Sequence, residues 1–158
     1  MARRLAPFLV VLCLFTARAE AQNALANPGF QSNFAGWIEV TGVPTWTPED
    51  ASGAPNSGSA RLRLTNRGNF VQVGLYQQAK VPPNRTYSYG ARVRMPSVCS
   101  GCYATISTYY FDGMWRLWNV TFITAPTNGF QQFFRELPPP TPGITDVEIN
   151  LGLYVPVG

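Results

Sequence analysis

Apolar and polar residues alternate with a period of two along much of the chain, which is the pattern of half-buried β-strands. Residues 59–65 set Ala60, Leu62 and Leu64 against Arg61, Arg63 and Thr65. Residues 70–78 set Val71, Val73 and Leu75 against Phe70, Gln72, Gly74 and Tyr76. Residues 86–95 set Tyr87, Tyr89, Ala91, Val93 and Met95 against Ser88, Gly90, Arg92 and Arg94. Residues 102–111 and 118–124 are rich in β-branched and aromatic side chains, and 129–136 and 144–154 complete the predicted strands. No long window repeats apolar positions at helical spacing between capping residues. Turn residues punctuate the strands at Asn27-Pro28-Gly29, Gly53-Ala54-Pro55-Asn56, Pro82-Pro83-Asn84, Asp112-Gly113 and Pro138-Pro139-Pro140. Short strands at this spacing predict an all-β, antiparallel β-sandwich. Residues 49–59, polar and small, read as a long loop.

Composition agrees with that reading. The 158 residues suffice for one domain with a leader. They are 46% hydrophobic and 13% charged, which excludes a highly charged disordered chain. Gly and Pro number 14 each, and aromatics reach 13%, a mix suited to strands and turns.

The first segment has its own logic. Arg3 and Arg4 precede an apolar run from Leu5 to Phe15, and Ala19-Glu20-Ala21 has the small-x-small form of a signal peptidase site. The run is far short of the roughly 20 residues that span a bilayer. Residues 1–21 are therefore expected to be a cleaved secretory signal, and 22–158 a single exported domain, extracellular or periplasmic. Cleavage removes Arg3, Arg4, Arg18 and Glu20, so 12 basic and 8 acidic residues become 9 and 7. A net charge of +2 gives little reason to expect a nucleic-acid partner, and no membrane span is expected. The mature chain is expected to be a monomer.

Cleavage also removes Cys13 and leaves Cys99 and Cys102 as a pair in an oxidising compartment. A zinc site would need two further ligands, and the chain has no other mature cysteine and no histidine. The pair is expected to form a local disulfide at a hairpin tip. Two glycosylation sequons, at Asn84 and Asn119, matter only in a eukaryotic secretory pathway.

An ordered series of short motifs runs from about Asn23 to Tyr154. Asn27-Pro28-Gly29-Phe30 comes first, then Gly36-Trp37, then Ser57-Gly58-Ser59-Ala60-Arg61-Leu62-Arg63-Leu64. Tyr76-Gln77-Gln78, Val81-Pro82 and Thr86-Tyr87 through Val93 follow. In this order the chain resembles the carbohydrate-binding modules of the family 4, 9 and 22 (CenC-like) group. The resemblance implies a jelly-roll, galactose-binding-like sandwich that binds a polysaccharide or oligosaccharide and is often appended to a glycoside hydrolase. It places Trp37 inside the fold. Two features depart from the group. The chain stops at Gly158 before the group's usual final strand, so a C-terminally truncated module is expected. The acidic residue that would ligate a structural Ca²⁺ after the first motif is Gln31, which leaves only backbone carbonyls near Asn27 for a weak site. No other cofactor or metal is expected.

Sugar recognition needs flat aromatic faces for C–H edges and planar polar groups for hydroxyls. On the alternation above, Gln72, Tyr76, Arg92 and Arg94 lie opposite the apolar faces. They form a platform if their strands are neighbours in one sheet; otherwise they are a solvated polar face. Trp46, between Pro44 and Pro48, is a further ligand-binding candidate. So is Trp115, which with Trp118 flanks Arg116-Leu117 beyond the Asp112-Gly113 turn. Tyr109 and Tyr110 point to opposite faces, so one of them is available to a ligand.

Glycoside hydrolysis needs two carboxylates at a set separation. The mature acids, Glu39, Glu49, Asp50, Asp112, Glu136, Asp146 and Glu148, show no such pairing in sequence, and there is no nucleophile elbow or phosphate loop. No catalytic residue is expected. The alternative to glycan binding is a structural or adhesion sandwich of an exported surface protein, which would keep the core and bury Trp46 and Trp115.

Overall fold

The computed structural model describes residues 23–53, 55–63, 71–82, 85–137 and 142–155. The expected leader, residues 1–21, lies outside them, as do Leu64, Thr65, Phe70 and Asn84.

All regular elements among the described residues are strands. They are β1 (Ile38–Glu39), β2 (Thr45–Thr47), β3 (Ser59–Arg61), β4 (Val71–Lys80), β5 (Tyr87–Val93), β6 (Tyr103–Phe111), β7 (Trp115–Ile123), β8 (Gln131–Leu137) and β9 (Asp146–Val155). One layer is a five-stranded sheet in the order β1-β4-β9-β6-β7, in which every pairing is antiparallel. β5 pairs with β8, and β2 with β3, in two antiparallel ribbons. The β5–β8 ribbon packs on the large sheet: Tyr89 and Leu137 meet Ile106, Ile123 and Ile149 in one core. The chain is an antiparallel β-sandwich. Neighbours distant in sequence, such as β4 beside β9, are the mark of its jelly-roll connections.

The predicted alternation explains the core. Val73 and Leu75 are fully buried, and Ile149 and Ile106 continue their face onto β9 and β6. Removing most of Leu75 would cost about 2–5 kcal/mol. Gln77, next on the same face of β4, is buried but paired. Its Nε2 donates to the carbonyls of Ala26 (3.0 Å) and Gly36 (2.6 Å), and its Oε1 accepts from Ala26 N (2.7 Å). This amide fastens the N-terminal segment to the sheet. Asn27-Pro28-Gly29-Phe30 is accordingly a turn, with Asn27 and Phe30 at positive φ. Trp37 packs against the core and donates from Nε1 to the Asn27 carbonyl, 3.1 Å away.

Three features differ from the sequence expectation. β1 and β2 are too short to show a period of two. Cys99 and Cys102 form a disulfide, with Cα atoms 5.1 Å apart, but not at a hairpin tip. They lie on the connection from β5 to β6, which crosses between the two layers. β7 begins at Trp115 rather than Trp118, because the β6–β7 hairpin closes tightly on Asp112, Gly113 and Met114. The Asn119 side chain is not free at the surface: its Oδ1 accepts from the Tyr89 hydroxyl (3.0 Å).

Candidate functional site

The face of the five-stranded sheet turned away from the core carries an ordered set of side chains. Register and alternation place them in rungs across the strands. Gln72, Tyr154 and Tyr103 form the first rung, and Gly74, Gly152, Thr105 and Phe122 the second. Tyr76, Asn150, Ser107 and Val120 form the third, with Ile38 of β1 beside Tyr76. Gln78, Glu148, Tyr109 and Leu117 form the fourth, and Lys80, Asp146, Phe111 and Trp115 the fifth.

Along β6 this face sinks into a shallow open depression of about 190 Å³. Tyr103, Thr105, Ser107 and Tyr109 of β6 form its length, with Leu117, Val120 and Phe122 of β7 on one flank and Tyr154 at one end. Its volume is below the roughly 300–1,000 Å³ of pockets that enclose a small ligand. The shape suits a ligand laid along an open surface.

The aromatic rings are arranged by contacts among themselves. Tyr103 and Tyr154 stack with centroids 5.1 Å apart, and Phe122 meets Tyr103 edge-on at 5.6 Å. Phe111 and Trp115 meet at 5.3 Å at the other end. Glycines make the floor between. A Cβ on Gly152 would stand 2.8 Å from the Tyr154 ring and 3.1 Å from Thr105 Oγ1. One on Gly74 would stand 2.6 Å from the Leu151 carbonyl oxygen. Burial raises the Tyr154 phenol above its ordinary range; the Thr105 hydroxyl opposes the shift, while Tyr109 and Tyr103 reinforce it.

Opposite the apolar β7 flank stands a polar one. Gln78 Nε2 donates to Glu148 Oε2 (2.9 Å), and Asn150 Nδ2 donates to Glu148 Oε1 (2.5 Å). Both amide oxygens remain as acceptors. Asp146, on the fifth rung, pairs with Lys80 Nζ at 2.6 Å and accepts from Thr145 Oγ1 at 2.7 Å. Lys80 first, then Thr145, lowers its carboxyl below the ordinary value.

Of the residues singled out in sequence, Gln72 and Tyr76 stand on this face and Trp115, 40% exposed, at its end. The others stand elsewhere. Arg92 and Arg94 belong to β5 and the segment after it, in the opposite layer, because β5 pairs with β8 and not with β4. Arg92 Nη1 donates to the Ala51 carbonyl (3.1 Å). Arg94 grips Glu49 with both guanidinium ends and lies 5.6 Å from the centre of the Phe130 ring. Together they strap the loop of residues 49–53 to the β5–β8 layer. Trp46 sits on β2 with its ring against Gly58, and its Nε1 donates to the Phe30 carbonyl (2.7 Å). It is 36% exposed, so neither tryptophan is buried.

Of the two tyrosines left open in sequence, Tyr109 is the one on this face, but most of the face was not singled out: Tyr103, Thr105, Ser107, Phe122, Glu148, Asn150 and Tyr154. The signal was present, since residues 103–111 alternate Tyr, Thr, Ser, Tyr, Phe against Ala, Ile, Thr, Tyr. Asn150, Gly152 and Tyr154 alternate likewise with Ile149, Leu151 and Leu153. Among the described residues no three His, Cys, Asp or Glu side chains gather as a metal site.

No protein-family model matches the chain, and no curated protein sequence matches it. Solved structures do. The chain is similar to the enzymatically active domain of tailspike protein 4 of bacteriophage CBA120, with a TM-score of 0.65 and 20% identity. That match covers 86% of this chain and 20% of the tailspike chain, so the chain spans about a fifth of that structure's length. It is also similar to a family 16 carbohydrate-binding module, with a TM-score of 0.50 and 17% identity over 84% of this chain and 94% of the module. At these identities the likeness is one of fold.

Proposed function

We propose that the chain is a secreted, non-catalytic carbohydrate-binding module that holds a polysaccharide on the outer face of its five-stranded sheet. The single observation that carries the reading is the composition of that face: aromatic rings at both ends, an apolar flank on β7 and planar amides on the other side. A pyranose has the matching halves, a C–H face and a hydroxyl rim. The depression follows β6, so the sugar chain lies along the strands from the Tyr103–Tyr154 stack towards Trp115. Gln72, Tyr76, Gln78 and Asn150 supply hydrogen bonds. The fold likeness to a family 16 module supports this reading, and the motif order supports kinship with the family 4, 9 and 22 group.

The acids support a non-catalytic role. A hydrolase needs a proton donor with a raised pKa beside a second carboxylate. Asp146 is shifted the opposite way, and Glu49 and Asp112 are paired with arginines away from the depression.

The test is retention of purified residues 22–158 in native affinity gels cast with a broad panel of polysaccharides. Retardation by one glycan class is expected. A protein that is folded by circular dichroism and retarded by none would overturn the reading in favour of the structural or adhesion domain.

A further inference from the structure

Resting on that reading, we propose that Glu148 restricts the face to uncharged glycans and excludes polyanionic ones such as uronates and sulfated chains. Glu148 stands on the fourth rung, half-buried between Gln78 and Tyr109. Its two oxygens each accept from an amide, which fixes the carboxylate in place and leaves the amide oxygens of Gln78 and Asn150 as acceptors. The middle of the face therefore presents acceptors, and a hydroxyl can donate to them. A carboxylate or sulfate brings no proton and meets a fixed negative charge.

Nothing on the face offsets that charge. Among the described residues no lysine or arginine forms an ion pair with Glu148. Lys80, at the end of the face, is neutralised by Asp146. Arg92 and Arg94 are in the opposite layer, and Arg94 is spent on Glu49. Arg116, at the hairpin end, is paired with Asp112. Like charges brought together during binding are penalised most where water is partly excluded.

The experiment compares polymer pairs that share a backbone: hydroxyethyl cellulose with carboxymethyl cellulose, methyl-esterified with de-esterified pectin, and curdlan with its carboxymethyl derivative. Wild type and Glu148→Gln are each run in affinity gels at low salt and at high salt. For the backbone that is bound, wild type should favour the neutral form by roughly tenfold or more, as like-charge juxtaposition predicts. The preference should narrow at high salt and shrink several-fold in Glu148→Gln, whichever way absolute affinity moves. An unchanged ratio in the variant, or a wild type that prefers the anionic form, would overturn the selectivity while leaving glycan binding standing. Retention by no member of any pair, and by no polysaccharide of the broad panel, would overturn both.

Discussion

Tyr103 and Tyr154 lie parallel across the β6–β9 pair, their planes within 12° of one another. A stack of this kind presents a broad apolar surface at one end of the face and fixes its orientation by mutual contact. If a sugar ring rests there, Tyr154→Ala should weaken binding by roughly 10–100-fold, the usual cost of removing an aromatic anchor. Tyr154→Phe should retain most of the affinity. Isothermal titration with the glycan identified by the panel measures both; equal affinity in Tyr154→Ala would remove the stack from the site.

The two floor glycines should behave differently from each other. A methyl group at Gly152 meets the edge of a side chain, which can rotate. Gly152→Ala should disturb the Tyr154 ring and reduce binding with a small loss of stability. A methyl group at Gly74 meets the backbone carbonyl of Leu151 inside the ladder. Gly74→Ala should therefore cost about 1–3 kcal/mol of folding stability, as overpacking does. Urea denaturation beside the binding titration separates the two outcomes.

Tyr154 also predicts an alkaline effect. Its folded pKa is raised above the ordinary 10.0, chiefly by burial. The unfolded chain therefore loses this proton first, so the favourable contribution is intact below pH 10.0 and is lost as pH rises through the folded value. Stability of wild type relative to Tyr154→Phe should fall from about that pH upward. Denaturant melts of both proteins between pH 8 and roughly 11.5 provide the measurement, and a constant difference would contradict the assignment.

Arg92 and Arg94 serve the loop instead. Arg94→Ala removes a surface ion pair and a ring contact, and should lower stability by about 1 kcal/mol or less. Glycan affinity should stay within about twofold, since the lost contacts lie in the other layer. Proteolysis in the loop of residues 49–53 should become faster. A large loss of binding with the fold intact would place the ligand on the β5–β8 side.

The sequence made the long strands of both layers legible because each buries one face only. Val73, Leu75 and Tyr89 stand where the period of two put them. The period also divides each strand into inner and outer residues, which is how Gln72 and Tyr76 were found. It does not say which strands are neighbours. That depends on crossings between layers, so Arg92 and Arg94 carried the right alternation in the wrong sheet. The N-terminal part was less legible because it is held by single polar contacts, such as the Gln77 amide and the Asn27 turn, with no repeating pattern. Tyr103 and Tyr154 gain their meaning only together. They are 51 positions apart, and nothing local to either announces the other.

β6 and β7 slip by one residue between Thr108 and Tyr109. Asn119 faces Thr108 and Leu117 faces Tyr109, which leaves Trp118 as the extra residue of a bulge. Trp118 can then turn inward onto Tyr110 and the core while Leu117 and Trp115 turn outward. The bulge acts as a phase switch for the end of the strand. Deleting Trp118 would leave both sets in place, because Leu117 already faces Tyr109. An unbroken period of two through all nine residues of β7 would instead exchange the sets, with Trp118 and Arg116 outward and Leu117 and Trp115 inward. A different tryptophan would then stand on the outer face, and a cation would arrive on the rung next to Glu148. The one extra residue of the bulge thus sets both the shape and the charge of this end of the surface.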